Sequence, residues 1–480
     1  MRFMIRMMRP LIFIFFLLLW YKVSLAQTEY EQERKKGQTA AREVEQQMGL
    51  VSLPSAEEIV KKIGDRLVGQ LPSNPYQFSF QIVDQAEPNA FALPGGFVYV
   101  SRGLLMLLKN EDELAGVIGH EISHVMKRHG SNRQRKSVLP GILAVPAVAL
   151  GNTLGQGMGE KIAAPVLGAG KAYLASYGRK QELEADELGI ALAAKAGYQP
   201  LLLADILNRL EKFVEAESGQ ASRFSIFDDH PMTPDRMKAI QAKGASLPVA
   251  KPASTSTFDF LSCFNQVLYG ADPAQGIFNQ NIFLHPELKM YWELPKDWNY
   301  FNQATLAGAI SPDQKTLVAI KVAGLDRQID SLIVNFVNNF YSTTRKKPMR
   351  DTILVMSGRM GSEVVMPAKK KNEILYSVWF KKDGFTYTIL GSGTVDRLKD
   401  FQKISQSFRD LLTTDYPLIQ YQELLTIKSQ EGESLEKLSN RTQNVINLST
   451  MAILNEISEA YTFKKDEPVK VVLGKPYQMK

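Results

Sequence analysis

Three of the chain's five histidines fall in one short stretch, VIGHEISHVMKRHG, residues 117–130. His120 and His124 are four positions apart, with Glu121 between them. On a helix, residues four apart stack on one face, so two imidazoles point at one ion. Glu121 lies one step round the same helix and reaches a water on that ion without ligating it. Two neutral nitrogen ligands and a carboxylate base beside a polarised water are the parts that zinc-assisted hydrolysis needs.

The helix that must carry these residues is well specified. Asn110 reads as its N-cap with Glu113 three residues later, and Gly130 is expected at the left-handed position past its end. Leu114, Val117, Ile118, Ile122, Val125 and Met126 give it a broad apolar face. A further ligand is available in GRKQELEADELGIALAAKAG, residues 178–197, which reads as a second helix ending at Gly197. Glu182 and Asp186 share a face there, and Gly189 and Ala193 continue it with small residues that permit close approach. Glu184 is the competing carboxylate, but it lies roughly 200° round the helix from Glu182. Ahead of the histidine helix, NAFALPGGFVYVSRG reads as a Pro94-Gly95-Gly96 turn and then a strand. That strand, Phe97, Val98, Tyr99 and Val100, is expected to hold an extended peptide by strand addition.

NAFALPGG, then HEISH, then the E-x-E-A-D-x-x-G of Glu182 to Gly189, in this order, resembles the zinc metallopeptidase family of BepA, HtpX, Oma-type and CAAX prenyl endopeptidases. The resemblance covers roughly residues 28–245. It implies one zinc ion held by His120, His124 and Glu182, Glu121 as general base, and Asp186 orienting a ligand imidazole. In FDDHPMTPDRMKAI, His230 and Arg236 also match secreted members, where the histidine sits close to the zinc and in some restrains activity. His129 reads as a cation at a helix C-terminus, and His285 is left unassigned.

The remaining sequence sets the context. MRFMIRMMRPLIFIFFLLLWYKVSLAQ has Arg2, Arg6 and Arg9 ahead of an apolar run, with Ser24 and Ala26 before a cleavage point. Residues 1–26 therefore read as a secretory signal peptide, and the mature chain is expected in a periplasm or cell envelope. The leader carries four of the 57 basic residues, so the mature chain has 53 against 50 acidic ones. That balance gives no support to nucleic-acid binding. The single Cys263 excludes an internal disulfide framework. Residues 137–177, rich in Ala, Gly and Pro, are expected to form short packed helices or a lid over the site; a membrane-dipping loop is the alternative.

The fold class expected is multidomain α+β: a mainly helical zinc-peptidase domain with a small sheet over 27–245, a linker at 246–257, a mixed α/β domain over 258–412, and a small tail over 413–480. No convergent chemical set appears in the middle domain. The tail reads strand, helix, helix, strand and resembles a diverged LysM-like module, which implies peptidoglycan as a partner. Protein or peptide substrates, misfolded or of the envelope, follow from the family resemblance. A latent or chaperone-like envelope factor that keeps the zinc site is the competing expectation.

Overall fold

The computed structural model describes residues 30–130, 177–217, 230–231, 233–250, 256–303, 306–368 and 371–477. The expected leader and almost all of the 137–177 interval lie outside the described residues.

The N-terminal unit opens with a helix over residues 30–48 (α1). There follow α2 (Pro54–Val68), strands β1 (Ser79–Val83), β2 (Ala90–Leu93) and β3 (Phe97–Ser101), then α3 (Arg102–Leu107) and α4 (Glu111–Met126). After them come α5 (Arg179–Lys195), α6 (Leu202–Glu217) and α7 (Pro234–Gly244). Pro54 and Pro234 stand in the first turns of their helices, where a missing N–H costs nothing. Ile59, Ile63, Leu104, Leu114, Ile118, Ile122, Ile190 and Leu210 form one buried cluster that locks α2, α3, α4, α5 and α6 together.

The small sheet has the order β1-β3-β2. β3 pairs in parallel with β1 and antiparallel with β2, so its backbone is engaged on both sides. The strand Phe97–Val100, expected to accept a peptide, is therefore the central strand and has no edge to offer. Among the described strands β2 pairs only with β3, and it forms the edge nearer the histidine helix.

The middle of the chain forms a seven-stranded antiparallel sheet within residues 299–394. Helix Ile329–Thr344 covers one face through Phe340 against Leu317 and Ala319. Helix Leu398–Gln406 covers the other through Phe401 and Ile404 against Val318 and Ile320. The Lys-Asp-Gly hairpin is present, with Asp383 and Gly384 both at positive φ (49° and 82°), as a two-residue turn requires. A four-stranded sheet built from Ile277–Asn279, Ile282–His285, Met290–Glu293 and Arg409–Asp410 was not foreseen.

The tail has the expected element order: strand Gln420–Lys428, helices Leu435–Thr442 and Leu448–Asn455, strand Pro468–Pro476. It is not a separate bead. Leu424, Leu454 and Val472 belong to the same buried cluster as α4, together with Phe260, Phe264 and Val267 from the segment that precedes the middle sheet. Lys470, buried, donates from Nζ to the carbonyls of Met106 (2.8 Å) and Leu108 (3.0 Å) at the end of α3. Leu268–Tyr269 pairs with Glu423 and Gln422, so the chain leaves for the middle sheet and returns from it at one adjacent pair of strands.

Candidate metal centre

Helix α4 is anchored at its start. The Asn110 side chain accepts from Glu113 N–H, and the Glu113 carboxylate is gripped by both Nη atoms of buried Arg209 (2.8 and 2.9 Å). Opposite it runs α5, and the two helices touch at Gly119 and Gly189. A Cβ on Gly189 would fall 2.8 Å from His120 N, and one on Gly119 would fall 2.9 Å from Gly189 O. Glycine at both positions lets the backbones approach closely enough for short carboxylates on α5 to meet imidazoles on α4.

There Glu182 meets the two histidines. His120 Nε2 and His124 Nε2 are 2.9 Å apart, and each lies 3.5 Å from a Glu182 oxygen. His230, just ahead of α7, brings Nδ1 to 3.2 Å from both His120 Nε2 and Glu182 Oε1. The four donors lie within 4.8 Å of one another, and all four residues are buried. Glu184 points elsewhere, to His129 at 3.3 Å.

Around this cluster sits a second layer. Asp186 Oδ1 is 2.9 Å from His120 Nδ1. Arg236 grips Asp186 through Nε (2.7 Å) and Nη2 (2.8 Å), and its Nη1 reaches Glu182 at 2.8 Å. Burial would raise the Glu182 and Asp186 carboxyls, but the surrounding histidines and Arg236 outweigh it and hold both below the usual carboxylate range. Burial pushes the Glu121 carboxyl up, with His230 and His120 opposing it, and drives His124 toward its neutral form. Glu121 is 1% exposed; its Oε1 stands 3.6 Å from His230 Nε2 and its Oε2 accepts no hydrogen bond from the described residues.

The donor set fits zinc. The Asp186 carboxylate beside the outer nitrogen of His120 favours the proton on that nitrogen, which leaves the inner one to present a lone pair. Imidazole lone pairs and a carboxylate facing one another at 2.9–3.5 Å repel unless a cation lies among them. Those separations bracket the edge of a tetrahedron with bonds of about 2.0–2.1 Å to nitrogen and oxygen, roughly 3.3–3.4 Å. The family model "Peptidase family M48" matches residues 54–243, which span α2 through α7 and every residue of this cluster.

Residues 54–243 belong to peptidase family M48. The chain is 26% identical over 246 residues to the beta-barrel assembly-enhancing protease of Yersinia pestis, covering 50% of each chain. It is 27% identical over 241 residues to the mitochondrial metalloendopeptidase OMA1 of Schizosaccharomyces pombe, covering 49% of this chain and 68% of that one. With the metalloprotease LoiP of Escherichia coli it shares 27% over 190 residues, covering 38% and 67%. The chain spans about half the length of the beta-barrel assembly-enhancing proteases it matches. The solution structure of cyanobacterial PsbP from Synechocystis aligns with 28% of this chain and 95% of its own at 7% identity, with a TM-score of 0.23.

Two features of the M48 site escaped the sequence reading. Tyr177 lies flat on His124, ring centroids 3.7 Å apart and 25° between planes, and with β2, Glu33 and Arg128 leaves a cavity of only about 10 Å³ beside the histidine. His129 is no helix-end cation. It is buried, and desolvation lowers its pKa against the opposing Glu184 carboxylate. Nor is Gly130 the left-handed residue after α4: that position is Arg128, at φ 55°.

Proposed function

We propose that the protein is an exported zinc metalloendopeptidase of the cell envelope that hydrolyses peptide bonds in misfolded or envelope proteins. The observation that carries this reading is the buried convergence of His120, His124, Glu182 and His230 beside the Glu121 carboxylate. Bound zinc supplies Lewis acidity toward water and the scissile carbonyl. Glu121 takes the proton of the attacking water and returns it to the leaving amine, a role suited to a buried carboxylate with a free oxygen. Asp186, clamped by Arg236, fixes the ring of His120 so that Nε2 faces the cluster. The peptide would lie along the edge of β2 that no other described strand occupies, hydrogen-bonding to Ala90–Leu93 as an added strand. The Yersinia and Escherichia relatives are named as proteases that enhance beta-barrel assembly, which supports a protein substrate of that kind.

We read this conformation as a closed one: with zinc bound, His230 would take a fourth ligand position that a substrate needs, and Tyr177 stands in the approach from β2. A latent state of this kind is favoured by those two contacts, with His230 withdrawing on activation. The strand-helix-helix-strand tail is read as a LysM-like module that carries the enzyme to peptidoglycan.

Purified residues 27–480 and the Glu121→Gln variant test the reading on an unfolded protein substrate. One zinc per chain in both, with cleavage confined to the parent and increased by His230→Ala, is the expected result. A parent without zinc, or a Glu121→Gln protein that cuts at the parent rate, removes it. Retention of the protein on insoluble peptidoglycan no better than an unrelated domain removes the role given to the tail.

A further inference from the structure

The two ligand histidines of α4 are oriented by different means. His120 turns its outer nitrogen to a carboxylate, Asp186. His124 turns its outer nitrogen to another imidazole: Nδ1 of His124 and Nδ1 of His129 are 3.0 Å apart. On the far side of that ring, His129 Nε2 meets Glu184 Oε2 at 3.3 Å. His129 is 4% exposed, while the Glu184 side chain keeps 42% of its surface open to solvent.

The end of the helix builds this arrangement. Arg128 N–H bonds to Val125 O and His129 N–H to His124 O, with Arg128 left-handed between them. That is a Schellman closure, which returns the second residue past the helix cap onto the residue three from its end. Here the pair so joined is His129 and the ligand His124. The left-handed region disfavours an arginine, and its side chain is held on α1 by Glu33 at 3.1 Å and lies over the Tyr30 ring.

We propose that His129 is a positioning residue for the metal centre, carrying the orientation of His124 through to the carboxylate of Glu184. The proposal rests on the metal-centre reading above. The tautomers follow from that role. For His124 to offer Nε2 as a lone pair, its proton must sit on Nδ1, and it donates to His129 Nδ1. His129 then accepts on Nδ1 and carries its own proton on Nε2, which it donates to Glu184. One carboxylate thus fixes two tautomers in series. Glu184, the rival ligand in the sequence, acts one ring away from the metal instead of on it.

The test is zinc affinity by chelator competition on the full mature chain, with parent, His129→Leu, His129→Asn and Glu184→Gln. Leucine keeps apolar bulk and removes the acceptor; asparagine keeps an oxygen where Nδ1 stands. His129→Leu should weaken zinc binding about 10–100-fold, His129→Asn should recover most of that loss, and Glu184→Gln should weaken binding by a smaller factor. Cobalt-substituted protein supplies a second readout: its visible spectrum should change in His129→Leu and return toward the parent in His129→Asn. Equal affinity for parent and His129→Leu overturns the proposal, and so does an equal loss in the leucine and asparagine variants, which assigns the residue to packing alone. Should His129→Leu fail to fold, unchanged affinity in Glu184→Gln overturns the relay. A parent that binds no zinc removes the metal-centre reading itself, an outcome distinct from all of these.

Discussion

Gly189→Ala is the most economical perturbation of the centre, because it adds one methyl group at the crossing of the two ligand-bearing helices and changes no ligand side chain. The new Cβ would lie 2.8 Å from His120 N and 3.0 Å from Gly119 C and His120 Cα, all backbone atoms that cannot swing aside. Ordinary contact begins at 3.4 Å, so α5 must retreat from α4 by about 0.6 Å. Overpacking of this kind costs about 1–3 kcal/mol, or a melting point lower by about 2–12 °C for a domain of this size. The same displacement carries Glu182 and Asp186 away from the histidines, beyond the roughly 0.5 Å within which a site keeps its working geometry. Zinc affinity and cleavage should therefore both fall, by about tenfold or more. Gly130→Ala is the control: its Cβ meets Pro94 at an ordinary 3.8 Å, so affinity and melting point should match the parent. A Gly189→Ala protein with parental zinc affinity would refute the claim that helix contact sets the ligand geometry.

Arg236→Ala leaves the Asp186 and Glu182 carboxylates buried without their cation, and urea unfolding in chelator should show a loss of about 3–5 kcal/mol; a loss under 1 kcal/mol would contradict the clamp. Burial lowers His285 in the four-stranded sheet from 6.5 to about 4, with Glu287 opposing. Because the folded form binds the proton less readily than the unfolded form, stability is full above pH 6.5 and falls as pH drops toward 4, by up to about 3 kcal/mol. His285→Gln should flatten that part of the pH–stability curve, and an unchanged slope would reject the assignment. Residues 27–413 lack Leu424, Leu454 and Val472, each buried in the α4 cluster. At about 1.5–3 kcal/mol per side chain, this truncation should not yield a cooperatively melting protein; a parental melting curve would show that the tail is dispensable.

The chemistry was legible because it follows local periodicity. His120 and His124 at helical spacing, Glu182 and Asp186 on one face, and small residues continuing that face are all short-range patterns, and the helices carry them as read. What escaped depends on distant partners. Nothing within Phe97–Val100 says whether that strand is central or at the edge; the parallel pairing with Ser79–Val83, across a turn and another strand, decides it. The left-handed residue that ends α4 comes two positions before Gly130, the better left-handed residue, because contacts of Arg128 with Glu33 and Tyr30 on α1 hold that conformation earlier. Lys470 would pass for a solvated strand residue, and only the open carbonyls at the end of α3 account for its burial.

The adjacent strands Leu268–Tyr269 and Gln422–Glu423 give the middle sheet two moorings a few ångströms apart, where a module on a linker has one. A body tied at two points loses most of its rotational freedom, so whatever it captures is presented to the rest of the molecule in one pose. The same closeness makes the segment removable: a turn of a few residues could bridge the two strands and leave the shared core of α4 and the tail intact. Cutting the chain by sequence order would sever that core, whereas excising its interior would spare it.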